Sequence, residues 1–247
     1  MSPVDCIFLD PARRNEHGGK TVAISDCEPN VAKLEGLLLS KANRIMIKLS
    51  PMLDLSQALK ELPHTQEVHI ISVNNECKEL LLLLGQTAPE EIPVHCVNLS
   101  TKGEQEKQLF VFTREQEQHS ECSYTDTLGN YLYEPNASLL KAGAFRSIAA
   151  AYSAKKLHPN SHLYTSDTQI EGFPGRTFRI INRCSLNKKE IKENLSDLKK
   201  ANITVRNFPA TVAELRKRIK LAEGGDTYLF ASTLNDGQKI LIRCGKV

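Results

Sequence analysis

The 247-residue sequence predicts an α/β fold followed by a smaller α+β part, and three observations carry that expectation. The apolar run at 4–9 ends abruptly at Asp10-Pro11, as a strand does when proline bars its predecessor from helix. Strand-like and helix-like stretches then alternate to about Arg114, the order that winds a parallel sheet by right-handed crossovers. From Arg176 onward the order is strand, helix, strand, helix, strand, strand, which folds as split β-α-β units into a small sandwich.

The opening run has no polar alternation apart from Asp5 and reads as a strand buried on both faces. Residues 15–20, with Gly18-Gly19, form a polar turn. Residues 31–40 place Leu34, Leu37 and Leu38 on one helical face. Residues 44–49 make a second strand, closed by Ser50-Pro51. Asp54 caps a short helix, with Gln57 at the capping-box position and Pro63 at its end. Residues 68–73 are a third strand, and residues 76–84 a leucine-rich helix stopped by Gly85. Two more strands, 94–99 and 109–113, complete a first domain at 1–114, and the polar stretch 114–123 is a linker.

A small intermediate unit follows at 124–172. It has a strand at 131–135, an alanine-rich helix from Ala137 to about Ala154, a break at His158-Pro159-Asn160 and a short strand at 163–165. The third unit, 176–247, has strands at 177–182, 203–207, 227–232 and 239–243, with helices at 188–200 and 212–221. Thr211 with Glu214 makes a capping box, and Asn235-Asp236-Gly237 a hairpin turn.

Composition excludes some classes. Hydrophobic residues are 40% and charged residues 25%, as in an ordinary globular protein. No apolar run approaches the roughly 20 residues of a membrane span, and no signal peptide is evident. The seven cysteines are scattered and form no Cys-x-x-Cys pair, which points to a reducing cytoplasm and against a zinc knuckle. The histidines show no metal-like spacing, so no metal site is expected. Net charge is +3, but residues 176–220 hold 13 basic side chains against 4 acidic ones, a local excess of +9. Such a basic module suits phosphate contacts with RNA, and Arg176, Arg179, Arg183, Lys188, Lys189, Arg206, Arg216 and Arg218 are its candidates. The plain alternative is a set of solvated lysine-rich helix faces.

Asp10-Pro11-Ala12-Arg13 resembles the Asp/Asn-Pro-Pro-Tyr/Arg signature of class I S-adenosylmethionine-dependent methyltransferases, especially those acting on RNA. With 48–54 and 76–80, the stretch is similar to a bacterial subgroup whose C-terminal part is THUMP-like. The resemblance implies the C-terminal half of a Rossmann-like methyltransferase sheet, followed by small α+β units of THUMP-like or ferredoxin-like type. It implies S-adenosylmethionine as the cofactor of a full-length enzyme, and tRNA or rRNA as partner.

That family carries a glycine-rich cofactor loop after its first strand, and no Gly-x-Gly occurs here. The chain is therefore expected to be the C-terminal part of a longer enzyme, binding no cofactor alone; a whole protein with a degenerate fold is the alternative. By the resemblance, the Asp10 carboxylate accepts a hydrogen bond from the target base and the Pro11 carbonyl orients it. Arg13 stands where the family has a stacking aromatic, and Arg14 holds base or phosphate. Ser50 takes the place of the cysteine nucleophile of pyrimidine C5-methyltransferases, so covalent attack is not expected; Ser50 and Asp54 are candidate substrate contacts. Cys77 opens the predicted helix at 76–84, where a helix N-terminus lowers a thiol pKa, but no histidine or base has motif-like spacing to it and a buried small residue is the favoured account. Two rivals keep the fold without the chemistry: a non-catalytic RNA-binding adaptor and a protein-interaction module.

Overall fold

The structure is a computed structural model that describes residues 4–13, 24–101 and 107–247. The predicted Gly18-Gly19 turn and Arg14 lie outside the described residues, as does the side chain of Arg13. The chain forms two compact units, one of residues 1–119 with 136–144, the other of 120–135 with 145–247.

The first unit contains β1 (Val4–Leu9), β2 (Ala12–Arg13), β3 (Cys27–Glu28), α1 (Val31–Leu39), β4 (Ala42–Leu49), α2 (Leu55–Glu61) and β5 (Thr65–Val73). Then come β6 (Glu76–Gly85), β7 (Pro93–Leu99), β8 (Lys107–Thr113), α3 (Arg114–His119) and the returning helix α4 (Ala137–Ala142). Its sheet has the order β1-β4-β6-β5-β7-β8. Only β1 with β4 and β5 with β7 run parallel; the other three pairs are antiparallel. The sheet is thus mixed rather than wholly parallel as expected.

The source of that difference is β6, which the sequence predicts as a helix. Asn74 and Asn75 both have positive φ, 50° and 64°, and turn the chain back within two residues. Residues 76–85 then run antiparallel to β5 and fill the slot between it and β4. Leu80, Leu82 and Leu84 are fully buried on one face, while Leu81 and Leu83 are half-buried on the other.

On that first face Ile45, Ile47, Val68, Ile70, Val94 and Cys96 make the core, and α1 packs on β4 while α4 packs on β5, β6 and β7. Asn136 fixes the start of α4, its Oδ1 accepting from the Leu139 amide. The opposite face is more open: Phe8 is 58% and Val111 44% exposed. β1, predicted to be buried on both faces, is largely exposed, because among the described residues β4 alone pairs with it.

Two further expectations change. The polar stretch after residue 113 begins as α3, capped reciprocally: the Gln116 amide donates to Thr113 Oγ1, and the Thr113 amide to Gln116 Oε1. The long helix expected over 137–154 is interrupted at Gly143, whose φ of 77° closes α4 in a left-handed cap.

The second unit contains β9 (Tyr131–Pro135), α5 (Arg146–Ala151), β10 (Lys155–Lys156), β11 (Tyr164–Ser166), β12 (Gly175–Cys184) and α6 (Lys188–Leu195). It continues through β13 (Asn202–Val205), α7 (Val212–Ile219), β14 (Thr227–Thr233) and β15 (Lys239–Lys246). One seven-stranded sheet, β10-β11-β9-β12-β15-β14-β13, runs through all of it. Leu229, Ala231 and Leu241 pack with Leu195 and Leu215 from α6 and α7. Phe178, Phe230, Ile240 and Ile242 form a second core with Leu132, Leu157 and Leu163. The expected capping box at Thr211 and Glu214 is present, and Gly237 takes φ 87° in the β14–β15 hairpin.

Candidate functional site

The parallel register of β1 on β4 sets Leu9 beside Ile47, so both strands deliver their next residues to one place. There Lys48 Nζ lies 2.6 Å from Asp10 Oδ2, with Glu79 4.0 Å away on the neighbouring strand β6. The hydrogen bond to Asp10 holds the Lys48 ammonium above its ordinary pKa, against the opposing effect of desolvation. Around the pair lies a cleft of about 250 Å³, lined also by Pro11, Cys27, Ser50, Pro51 and Lys78. A cation-paired carboxylate beside a rigid proline can accept a hydrogen bond from a ligand amine or ring N–H. Lys48 and Lys78 stand in the same cleft beside Asp10 and Glu79, and Lys78 is itself paired with Glu76.

The candidate residues divide. Asp10, Pro11 and Ser50 come together in this cleft. Ser50 Oγ also accepts from the Met52 amide, shaping the turn after β4. Asp54 instead caps α2, its Oδ1 accepting from the Gln57 amide at 2.8 Å. It lines a separate cleft of about 320 Å³ with Ser56, Arg114, Glu117 and Lys141. The Gln57 side chain does not close the expected box but donates to Glu61. Cys77 sits in β6 rather than at a helix start, and burial pushes its thiol up, so the activation a helix N-terminus would give is absent. Lys48 was legible in the motif but unassigned; its partnership with Asp10 becomes visible only once β1 and β4 pair.

In the second unit the basic candidates fall into two groups. Glu134 on β9 is 2% exposed and accepts from both Arg176 and Arg206. Arg176 Nε is 2.9 Å from Glu134 Oε2, and Arg206 Nη2 2.8 Å from Oε1, so each carboxylate oxygen faces one guanidinium fork. These two arginines are internal partners of a buried acid. Arg216 donates to the Ala201 carbonyl and Arg218 to the Leu186 carbonyl. Arg179, Arg183, Lys188 and Lys189 are exposed, the first two on β12 and the lysines at the start of α6.

A third grouping escaped the sequence entirely. Although no histidine spacing predicts a metal site, the β5–β7 pairing sets His69 beside His95, with Glu67 reaching both.

Residues 131–174 match the family described as a ferredoxin-like domain, and residues 175–246 the family described as THUMP domain-like. Among curated proteins none matches. A crystal structure described as a "putative methyltransferase from Porphyromonas gingivalis W83" superposes with a TM-score of 0.88 at 40% identity. The match covers 98% of this chain and 60% of the other, so the chain spans about three fifths of that relative's length. Among the described residues no strand-to-helix turn carries a glycine. In fold the chain is similar over nearly its whole length to that putative methyltransferase, and its residues 131–246 match a ferredoxin-like domain followed by a THUMP-like one.

Proposed function

We propose that the chain is the substrate-side and RNA-docking portion of an S-adenosylmethionine-dependent RNA base methyltransferase acting on tRNA or rRNA. The observation that carries the reading is the Asp10–Lys48 pair in a cleft at the ends of two adjacent parallel strands. Open α/β sheets bind ligands at such strand ends. In this reading Asp10 accepts a hydrogen bond from an amine or ring N–H of the target base, and Pro11 offers its carbonyl beside it. Lys48 keeps the carboxylate oriented. The base nitrogen takes a methyl group directly, without covalent attachment to Ser50. The donor would be held by the part of the longer relative that this chain does not span, and the chain alone neither binds it tightly nor methylates.

RNA is held in this proposal by the exposed cations Arg179, Arg183, Lys188 and Lys189, with Arg216 and Arg218 contributed by α7. The family match of residues 175–246 supports the assignment. Arg176 and Arg206 are given the internal role of holding Glu134. The test is transfer of a labelled methyl group from S-adenosylmethionine to tRNA or rRNA by the full-length protein. Asp10→Ala should abolish transfer while RNA retention in a mobility-shift assay is unchanged. Undiminished transfer by Asp10→Ala would overturn the reading. RNA binding without any transfer, in the unmodified protein, would favour the non-catalytic adaptor.

A further inference from the structure

We propose that Glu67, His69 and His95 form a binding site for a divalent cation of the zinc type, independent of the Asp10 cleft. The argument begins with strand register. His69 on β5 and His95 on β7 are direct neighbours in a parallel pair, and their imidazole rings stack with centroids 4.4 Å apart and planes 10° from parallel. Glu67 lies two residues before His69, so the pleat sends both side chains to the same face.

The three ligand atoms converge. Glu67 Oε2 is 3.2 Å from His69 Nε2 and 3.9 Å from His95 Nε2, and all three atoms lie within 4.8 Å of one another. Two ligands each about 2.1 Å from a tetrahedral ion stand roughly 3.4 Å apart. The two carboxylate separations bracket that value, and binding an ion turns the stacked imidazoles so that both Nε2 lone pairs face it. Two imidazoles and a carboxylate are the donor set of sites that keep a position open for water.

The surroundings support a site rather than a chance meeting of side chains. Both strands lie inside the sheet, β5 between β6 and β7, β7 between β5 and β8, so the ligands stand on paired backbone. On the same face His69 is flanked by Leu81 and His95 by Val111. Such apolar neighbours hold off competing water and lower the local dielectric around the ligands. Yet the side chains remain reachable, His69 being 27% and His95 25% exposed, so an ion can enter and retain a solvent ligand. The site joins strands that are 26 positions apart at the two histidines, and a bound ion would cross-link β5 to β7.

The experiment is a titration of the unmodified chain with Co2+ and with Zn2+ by calorimetry. Saturable binding of one ion per chain is expected, with Co2+ broadening the ring resonances of His69 and His95 before those of other histidines. His69→Gln, His95→Gln and Glu67→Gln should each weaken binding at least about tenfold. The inference is overturned if no stoichiometric binding occurs, if all three variants bind as the unmodified chain does, or if broadening centres on other residues. The NMR readout requires no substitution and decides the matter even where a variant folds poorly.

Discussion

Lys48 Nζ stands 2.6 Å from Asp10 Oδ2, across two neighbouring parallel strands that end together. Both side chains are partly exposed, so the pair contributes little to folding, and its consequence is positional. Replacing Lys48 by Met should leave the thermal midpoint nearly unchanged while freeing Asp10 to swing out of the cleft. In the full-length protein, methyl transfer should then fall about tenfold or more, with Lys48→Arg retaining part of it. Steady-state transfer rates beside melting curves check this. Equal losses of stability and rate would instead mark Lys48 as structural.

The Glu134 clamp makes the opposite prediction. A carboxylate that is 2% exposed and flanked by two guanidiniums depends on both of them. Arg176→Met or Arg206→Met leaves one partner and should cost about 1–3 kcal/mol, and the double variant about 3–5 kcal/mol, as an uncompensated buried charge does. Urea denaturation measures the loss. RNA affinity at fixed fold content should be unaffected, which separates these two arginines from the exposed set.

Which of these relationships could be read from the sequence depends on whether the signal is local. The Thr211–Glu214 box and the Asn235–Gly237 turn are fixed by residues within three positions of each other, and both form as expected. Asp10-Pro11 likewise marks a strand end from its own chemistry. The Thr113–Gln116 box is just as local, but it lies in a polar stretch whose composition points to a linker. β6 reads as a helix in the sequence because Leu80 to Leu84 are apolar at every position, which erases the difference between a period of 2 and one of 3.6. The Asn74-Asn75 hairpin turn held the missing information. His69 beside His95, and Glu134 between its arginines, depend on strand pairing over long separations, and no spacing rule reaches them.

The exposed cations of the second unit should register in the salt dependence of RNA binding. Arg179→Gln, Arg183→Gln and the pair Lys188→Gln, Lys189→Gln should each lower affinity. Each lost phosphate contact should also reduce the slope of log K against log salt by about 0.7–0.9. Binding titrations at several salt concentrations give the slopes. Loss of affinity with an unchanged slope would point to contacts other than phosphate.

His162 gives the fold a pH dependence that can be isolated. Its ring stacks on Phe145 at 3.6 Å between centroids, and its Nδ1 is buried with no hydrogen-bond partner among the described residues. Burial first, then the charges of Lys156 and Arg206, depress its pKa from 6.5 to about 4. The folded chain therefore keeps this ring neutral while the unfolded chain protonates it. Its contribution to stability is fully present above about pH 6.5 and is lost as pH falls towards 4, because the unfolded state binds the extra proton across that window. For a half-buried ring the change should be about 1–2 kcal/mol after screening. Glu190, Asp197 and Glu214 have lowered pKa values and weaken the same unit in acid, so the useful quantity is a difference between proteins. His162→Asn is the informative variant, since the residue sits at φ 53°, a left-handed conformation that asparagine tolerates. Denaturation midpoints of the variant should fall less between pH 7 and pH 4.5 than those of the unmodified chain. Parallel pH profiles would mean that the ring is not held neutral by the fold.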